Sequence, residues 1–189
     1  MEEIILIGYG GHAKSVADCI ERGRKYRIVG YTEPKEVVSK YPYLGTDDVL
    51  QRYYDKGVKN IAICQGYLGK SNLRERIYEK VKKIGFNLPV IIDPSSIVSE
   101  TALIGEGSFI GKAAIVNTQA CIGKMCIINT RALIEHECKV DDFTHVAVGA
   151  VICGQVTIGK SVLIGANATV IQCRTIEDNQ IVPAGDIIR

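Results

Sequence analysis

No run of apolar residues in this 189-residue chain approaches membrane-spanning length, although 47% of it is hydrophobic. A transmembrane helix needs about 20 such residues in sequence, so no membrane-spanning helix is expected. Charge of one sign is also missing: 23 basic residues against 21 acidic ones leave a net charge of +2 and no basic stripe, which argues against nucleic acid as a partner. The seven cysteines are an odd number and contain no Cys-x-x-Cys pair. This argues against a disulfide framework or a thiolate metal site and fits a reducing, cytoplasmic setting. The opening residues 1–7 read as a short strand, not a secretion signal. Histidine is scarce, with only His12, His136 and His145.

What is abundant is a strict period. Every sixth residue from Ile92 to Ile188 is isoleucine or valine, seventeen positions without a miss. A period of six matches neither the 3.6 of a helix nor the 2 of an ordinary strand, and is the mark of a hexapeptide β-helix. With three flat faces, eighteen residues complete a turn and every sixth side chain points to the axis. Two residues before each aliphatic the side chain is usually small, as at Ala114, Ala120, Cys126, Ala132, Cys138 and Ala150, which suits a second inward position. Glycine or asparagine often follows the aliphatic (Gly105, Gly111, Asn117, Gly123, Asn129, Gly159, Gly165), where corner backbone is expected. About five coils at ~4.8 Å each give a prism about 24 Å long.

Residues 1–88 follow another grammar, and residues 89–189 form the solenoid domain. Strands are expected over 3–7, 27–31 and 58–64. Helices are expected after His12 to about Gly23, over 47–54, and from a cap at Ser71 to about Ile84. Strands alternating with helices imply a small, Rossmann-like parallel α/β sheet with right-handed crossovers. The turn Gly8-Tyr9-Gly10-Gly11-His12-Ala13 opens the first helix, where backbone N–H groups can meet a phosphate. Gly8, Gly10, Ala13 and the later Glu33 satisfy a dinucleotide pattern. Only about one mononucleotide half fits before residue 89, however, so a mononucleotide or nucleotide-sugar site is the stronger functional reading. A plain strand-to-helix turn without ligand is the alternative.

In the solenoid the corner rule lapses over residues 135–147, where Glu135-His136-Glu137-Cys138 precedes Phe143-Thr144-His145. Both histidines fall outside the inward phase, and an outward histidine is ordinarily solvated surface. Glu137 could orient His136, but neighbours on a flat strand diverge, so the pair needs a corner. His136 and His145 are nine residues apart, half a coil, and lie on different sides of one prism. A site using both would lie between subunits, most simply in a trimer of parallel prisms.

The glycine turn, the hexapeptide array and these two histidine motifs together resemble the sugar O-/N-acyltransferases of the sialic acid O-acetyltransferase type. Within that group the likeness is to bacterial UDP-4-amino-sugar N-acetyltransferases. The resemblance implies an α/β Rossmann-like domain followed by a left-handed parallel β-helix. It also implies a homotrimer with active sites between subunits, acetyl-CoA as co-substrate, and no metal. By position it makes His136 a general base and Glu137 the acid that tunes it, with His145 and Gly154 beside the acetyl group. Tyr9, Gly10, Gly11, His12, Thr32, Glu33, Gln65 and Gly66 would surround the nucleotide sugar. The C-terminal Ile181-Val182-Pro183-Ala184-Gly185-Asp186 departs from the usual Gly-x-Pro-Ala-Lys ending. O-acetylation of sialic acid or a related sugar is the nearest rival. A zinc lyase would want three histidines where this coil offers two. A scaffold prism would bind no coenzyme A.

Overall fold

The computed structural model describes residues 1–69 and 71–189 and divides the chain into two units. One comprises Met1–Gly66 with Asn72–Ile91, the other Tyr67–Ser71 with Ile92–Arg189. The segment Tyr67–Ser71, which follows the last strand of the α/β sheet, therefore belongs with the solenoid.

The first unit runs β1 (Glu2–Ile7), α1 (Gly11–Gly23), β2 (Tyr26–Thr32), β3 (Tyr43–Gly45), α2 (Leu50–Asp55), β4 (Asn60–Ile63) and α3 (Leu73–Ile84). A 3-10 turn, Asp47–Val49, leads into α2. All pairings are parallel, in the order β3-β2-β1-β4. Ile4, Ile5, Leu6 and Ile7 of β1 are essentially fully buried, as expected of a central parallel strand covered on both faces. Helix α1 sends Ala13, Val16, Ala17, Cys19 and Ile20 inward and ends at Arg24, whose φ of 53° closes the helix in the left-handed region. The cap of α3 is Asn72 rather than Ser71, and its side chain makes no capping hydrogen bond.

Strand β3 was not expected from the sequence. Its trace there is Gly30: a Cβ at this position would lie 2.5 Å from the Pro42 carbonyl oxygen and 2.6 Å from Leu44 Cδ2, so only glycine lets the edge strand approach. The resulting order is one mononucleotide-type half. Its chain reversal lies between β1 and β4, where the Gly8–Gly11 turn leaves the sheet.

From Ile91 onward the chain is a parallel β-solenoid that matches a left-handed β-helix. Its two-residue strands stack into three sheets of six, six and five. Each residue pairs with the one eighteen positions away, as in Ile127 with His145 and Ile134 with Ile152. Backbone bonds between coils are short, for example from Ile127 N–H to the Thr144 carbonyl at 2.9 Å. The sixth-residue column is buried throughout from Ile110 to Val182, and Ala114, Ala120, Cys126, Ala132, Cys138, Ala150 and Ala168 are fully inaccessible beside it. The column frays at the start, where Ile92 is 42% exposed.

The corners differ from expectation. The residue after each aliphatic does not adopt the left-handed backbone; the third residue after it does. Met125 (φ 57°), Glu137 (φ 58°), Phe143 (φ 60°) and Gln155 (φ 60°) are examples. Glycine after the aliphatic answers a different need, close stacking of coils. A Cβ on Gly105 would lie 2.5 Å from the Gly123 carbonyl carbon, and one on Gly123 2.7 Å from the Asp142 nitrogen. Asparagine there serves its neighbour instead, Asn117 Oδ1 accepting the Thr118 N–H at 2.7 Å.

Ile134 is wholly buried in the middle of the column. Ile134→Ala should therefore cost about 2–5 kcal/mol in chemical denaturation, while Ile92→Ala should cost under about 1 kcal/mol. Equal losses would show that the column is not the core.

Candidate active site

His136 and Glu137 occupy the turn between the strands Leu133–Ile134 and Lys139–Val140. The positive φ of Glu137 is the corner the pair requires: it swings the carboxylate back beside the preceding imidazole. Glu137 Oε2 lies 3.0 Å from His136 Nδ1. A carboxylate only accepts, so Nδ1 carries the hydrogen and Nε2 of the neutral ring keeps its lone pair. Gln155 Nε2 donates to the same Glu137 oxygen at 3.1 Å from the coil above. These two hydrogen bonds, that of His136 first, hold the Glu137 carboxyl below the usual carboxylate range. The backbone is tied as well, with His136 N–H donating to Glu135 Oε2 at 3.0 Å and Asn117 Nδ2 reaching that oxygen at 3.1 Å.

Gly154 lies directly against the imidazole. A Cβ there would stand 2.6 Å from both Cε1 and Nε2 of His136, so glycine is required for the ring to rest where it does. One and two coils below, the equivalent N–H groups of His136 and Thr118 are capped by the side chains of Glu135 and Asn117. Cys153 precedes Gly154 and supplies no such acceptor, and among the described residues nothing takes the Gly154 N–H. A free amide donor thus stands beside a basic nitrogen. Nearby, burial pushes the Cys138 thiol up, which keeps it protonated and poorly nucleophilic.

His145 does not sit on a solvated surface as expected. It projects from the outside of the prism on the strand His145–Val146, yet it is only 8% exposed. Its Nδ1 is 2.8 Å from the Tyr67 carbonyl oxygen, and its Nε2 3.1 Å from Asn129 Nδ2. The carbonyl can only accept and the Asn129 amide nitrogen can only donate, so the ring is held neutral with its hydrogen on Nδ1. Asn129 cannot turn over freely, because its Oδ1 accepts the Thr130 N–H at 2.8 Å. The Tyr67 hydroxyl fastens the same segment by donating to the Ser161 carbonyl at 2.6 Å.

In the α/β unit a cavity of about 300 Å³ opens at the carboxyl ends of the strands. Ligands of open α/β sheets bind in that crevice. Gly8, Thr32, Glu33 and Gln65 line it, joined by Asp47 and Asp48. Thr32 Oγ1 donates to Asp47 Oδ1 at 2.6 Å, and Glu33 Oε1 accepts the Tyr9 N–H at 2.6 Å. Glu33 therefore braces the glycine turn with one oxygen. Tyr9 does not line the cavity, and its ring is stacked on Tyr31 with centroids 4.7 Å apart. Gly10 and Gly11 are exposed at the start of α1, and His12 lies against Gly66, whose added Cβ would be 3.9 Å from the His12 Cβ. The sequence reading missed Gln155, Asn129 and Asp47. Coil arithmetic points to Gln155, eighteen residues beyond Glu137; nothing in the sequence links Asp47 to Thr32.

A small parallel α/β sheet followed by a plain hexapeptide prism, with a carboxylate-oriented histidine at a prism corner, defines a hexapeptide acyltransferase class. Residues 3–81 match the family model described as PglD N-terminal domain. A GDP-perosamine N-acetyltransferase of Escherichia coli O157:H7 is 28% identical over 135 residues, covering 71% of this chain and 59% of that protein. The chain thus spans less than two thirds of the curated relative it matches. Among solved structures, a histidine-to-alanine mutant of GDP-perosamine N-acetyltransferase from Caulobacter crescentus, in complex with CoA and GDP-perosamine, superposes with a TM-score of 0.94. It is 28% identical, with coverage of 100% of this chain and 89% of that one. The acetyltransferase domain of PglB from Neisseria gonorrhoeae gives a TM-score of 0.92 at 30% identity, covering 100% and 92%. The chain belongs to the hexapeptide-repeat acetyltransferase family that includes this PglB domain.

Because Gly154 has no left-handed backbone to strain, Gly154→Ala should fold normally yet push the imidazole off Glu137. The His136 Cε1–H resonance should move while circular dichroism stays unchanged; an unmoved resonance would show that the ring does not rest on Gly154.

Proposed function

We propose that the protein transfers an acetyl group from acetyl-CoA to the amine of a nucleotide-linked amino sugar, with His136 as general base. The observation that carries this reading is the lone pair of His136 Nε2 held beside the free Gly154 N–H, with Glu137 fixing the tautomer from behind. A thioester is attacked only by a neutral amine, so a proton must leave as the C–N bond forms. Nε2 takes it, and the Glu137 carboxylate stabilises the imidazolium. Such base assistance is typically worth about 10²–10⁴ in rate. The Gly154 N–H meets the oxygen on which charge develops, a contribution of about 10²–10³. The proton then passes from His136 to the departing thiolate, and no acyl-enzyme forms. His145, closed off on both nitrogens, is assigned to the acetyl-CoA site as a fixed wall and not as a proton carrier.

Thr32, Glu33 and Gln65, at the carboxyl ends of the sheet, are proposed to hold the nucleotide, with the Gly10–His12 turn toward its phosphates. The sequence reading favours a UDP-linked 4-amino sugar, and the Caulobacter complexes contain a GDP-linked one. Assays with both nucleotides on the same sugar separate the two, and the hydroxyl analogue of the sugar separates N- from O-acetylation. His136→Ala should lower kcat by about 10²–10⁴ with KM values little changed. An unchanged kcat would remove His136 from the reaction.

The assembly proposed is a homotrimer with its sites between prisms. Two faces of the solenoid support this by their contrast. One outer ladder runs Ile97, Ile115, Leu133, Val151, Thr169 and Ile187, with Ile97 65% and Ile187 56% exposed. Another runs Leu103, Cys121, Lys139, Thr157 and Thr175, all exposed, with an apolar residue at its first coil and mainly polar ones beyond it. The apolar ladder abuts the His136 corner and suits burial against a second copy, while the polar ladder suits solvent. Val151→Glu should convert the trimer to monomers in analytical ultracentrifugation and abolish transfer; a wild-type monomer at micromolar concentration would contradict the assembly.

A further inference from the structure

Glu137 and Gln155 stand one above the other on adjacent coils, eighteen residues apart, both in the left-handed conformation. That shared backbone gives their side chains the same exit direction, so a contact between them is built into the coil. Cys173 continues the column one coil higher (φ 59°), and its thiol lies 3.4 Å from Gln155 Oε1. The hydrogen-bond directions are forced from both ends. The Glu137 carboxylate accepts only, so the Gln155 amide must present Nε2 to it. Oε1 then faces upward, where the Cys173 S–H can donate. Each donor and acceptor in the chain Cys173, Gln155, Glu137, His136 has one consistent role.

We infer that Gln155 is a positioning residue: it tethers the Glu137 carboxylate under His136 and so sets the orientation and basicity of the general base. This rests on the acetyl-transfer role proposed for His136, and it adds a group that acts through Glu137. The need for a tether follows from exposure. The side chains of His136 and Glu137 are 48% and 47% exposed, so the pair is solvated, and an isolated surface pair of this kind is held only weakly. An amide donor from the next coil removes the freedom of the carboxylate to swing away. Of the titratable groups, Glu137 stands beside the imidazole and Glu135 accepts the His136 backbone N–H, while the Cys173 thiol meets Gln155 two coils above.

Two variants test the tether. Gln155→Asn keeps an amide and tolerates the left-handed backbone but cannot reach Glu137. Gln155→Glu keeps the length and replaces the donor by a second negative charge. The midpoint of the His136 imidazole titration is read by NMR in the whole protein, where only three histidines must be assigned. Gln155→Glu should raise that midpoint by about half a unit or more, because the imidazolium gains a second carboxylate neighbour. The acid limb of kcat/KM should move upward with it. Gln155→Asn should lower kcat about tenfold with KM for both substrates unchanged, as expected when only the transition state is affected. Wild-type titration and wild-type kcat in both variants would overturn the inference. His136→Ala, measured alongside, keeps the two proposals apart. If it remains active, the base assignment fails while the NMR midpoint still reports on the tether. If it is dead and the Gln155 variants are indistinguishable from wild type, only the tether fails.

Discussion

Stacking in register is the constraint from which the rest of this molecule follows. Each coil of eighteen residues lies directly on the one before, so a residue's neighbours are set by adding or subtracting eighteen. The buried isoleucine and valine column keeps that register, because slipping by one residue would turn every aliphatic outward. Close approach of the coils then imposes its own demands. Glycine is needed after several aliphatics to avoid the backbone of the next turn, and a left-handed residue is needed two places further on to turn the corner.

The site uses both demands. At the corner after Ile134 the left-handed position is occupied by Glu137 in place of an inert residue, and this folds the carboxylate against His136. Directly above, Gly154 leaves room for the imidazole and keeps its own N–H free. Neither feature is an addition to the fold; each is a structural position filled by a chemically useful residue. In the α/β unit the same economy appears at Glu33, which closes the glycine turn through the Tyr9 N–H while lining the cavity.

Much of this was legible beforehand. The period of six announced the prism, and the glycine turn after an apolar strand announced the parallel sheet. The requirement that His136 and Glu137 meet only at a corner was also visible, and Glu137 meets it. Other features were hidden for physical reasons. Strand β3 is three residues long and has no periodicity, so only Gly30 betrays it. The sealing of His145 involves the Tyr67 carbonyl, and no local pattern assigns Tyr67 to the solenoid. The packing of the Tyr9 ring against Tyr31 and Tyr41 was likewise hidden, because it joins residues far apart in the chain.

By itself the sequence determined the architecture, because a sixth-residue aliphatic series has one low-energy solution, and it marked His136 and His145 as the two histidines of the solenoid. Tertiary structure decided which nitrogen of each imidazole carries the hydrogen, since that depends on whether the facing atom can accept or donate. It also decided that one outward histidine stays open while the other is sealed, for burial of a prism's outer face is set by chain segments remote in sequence.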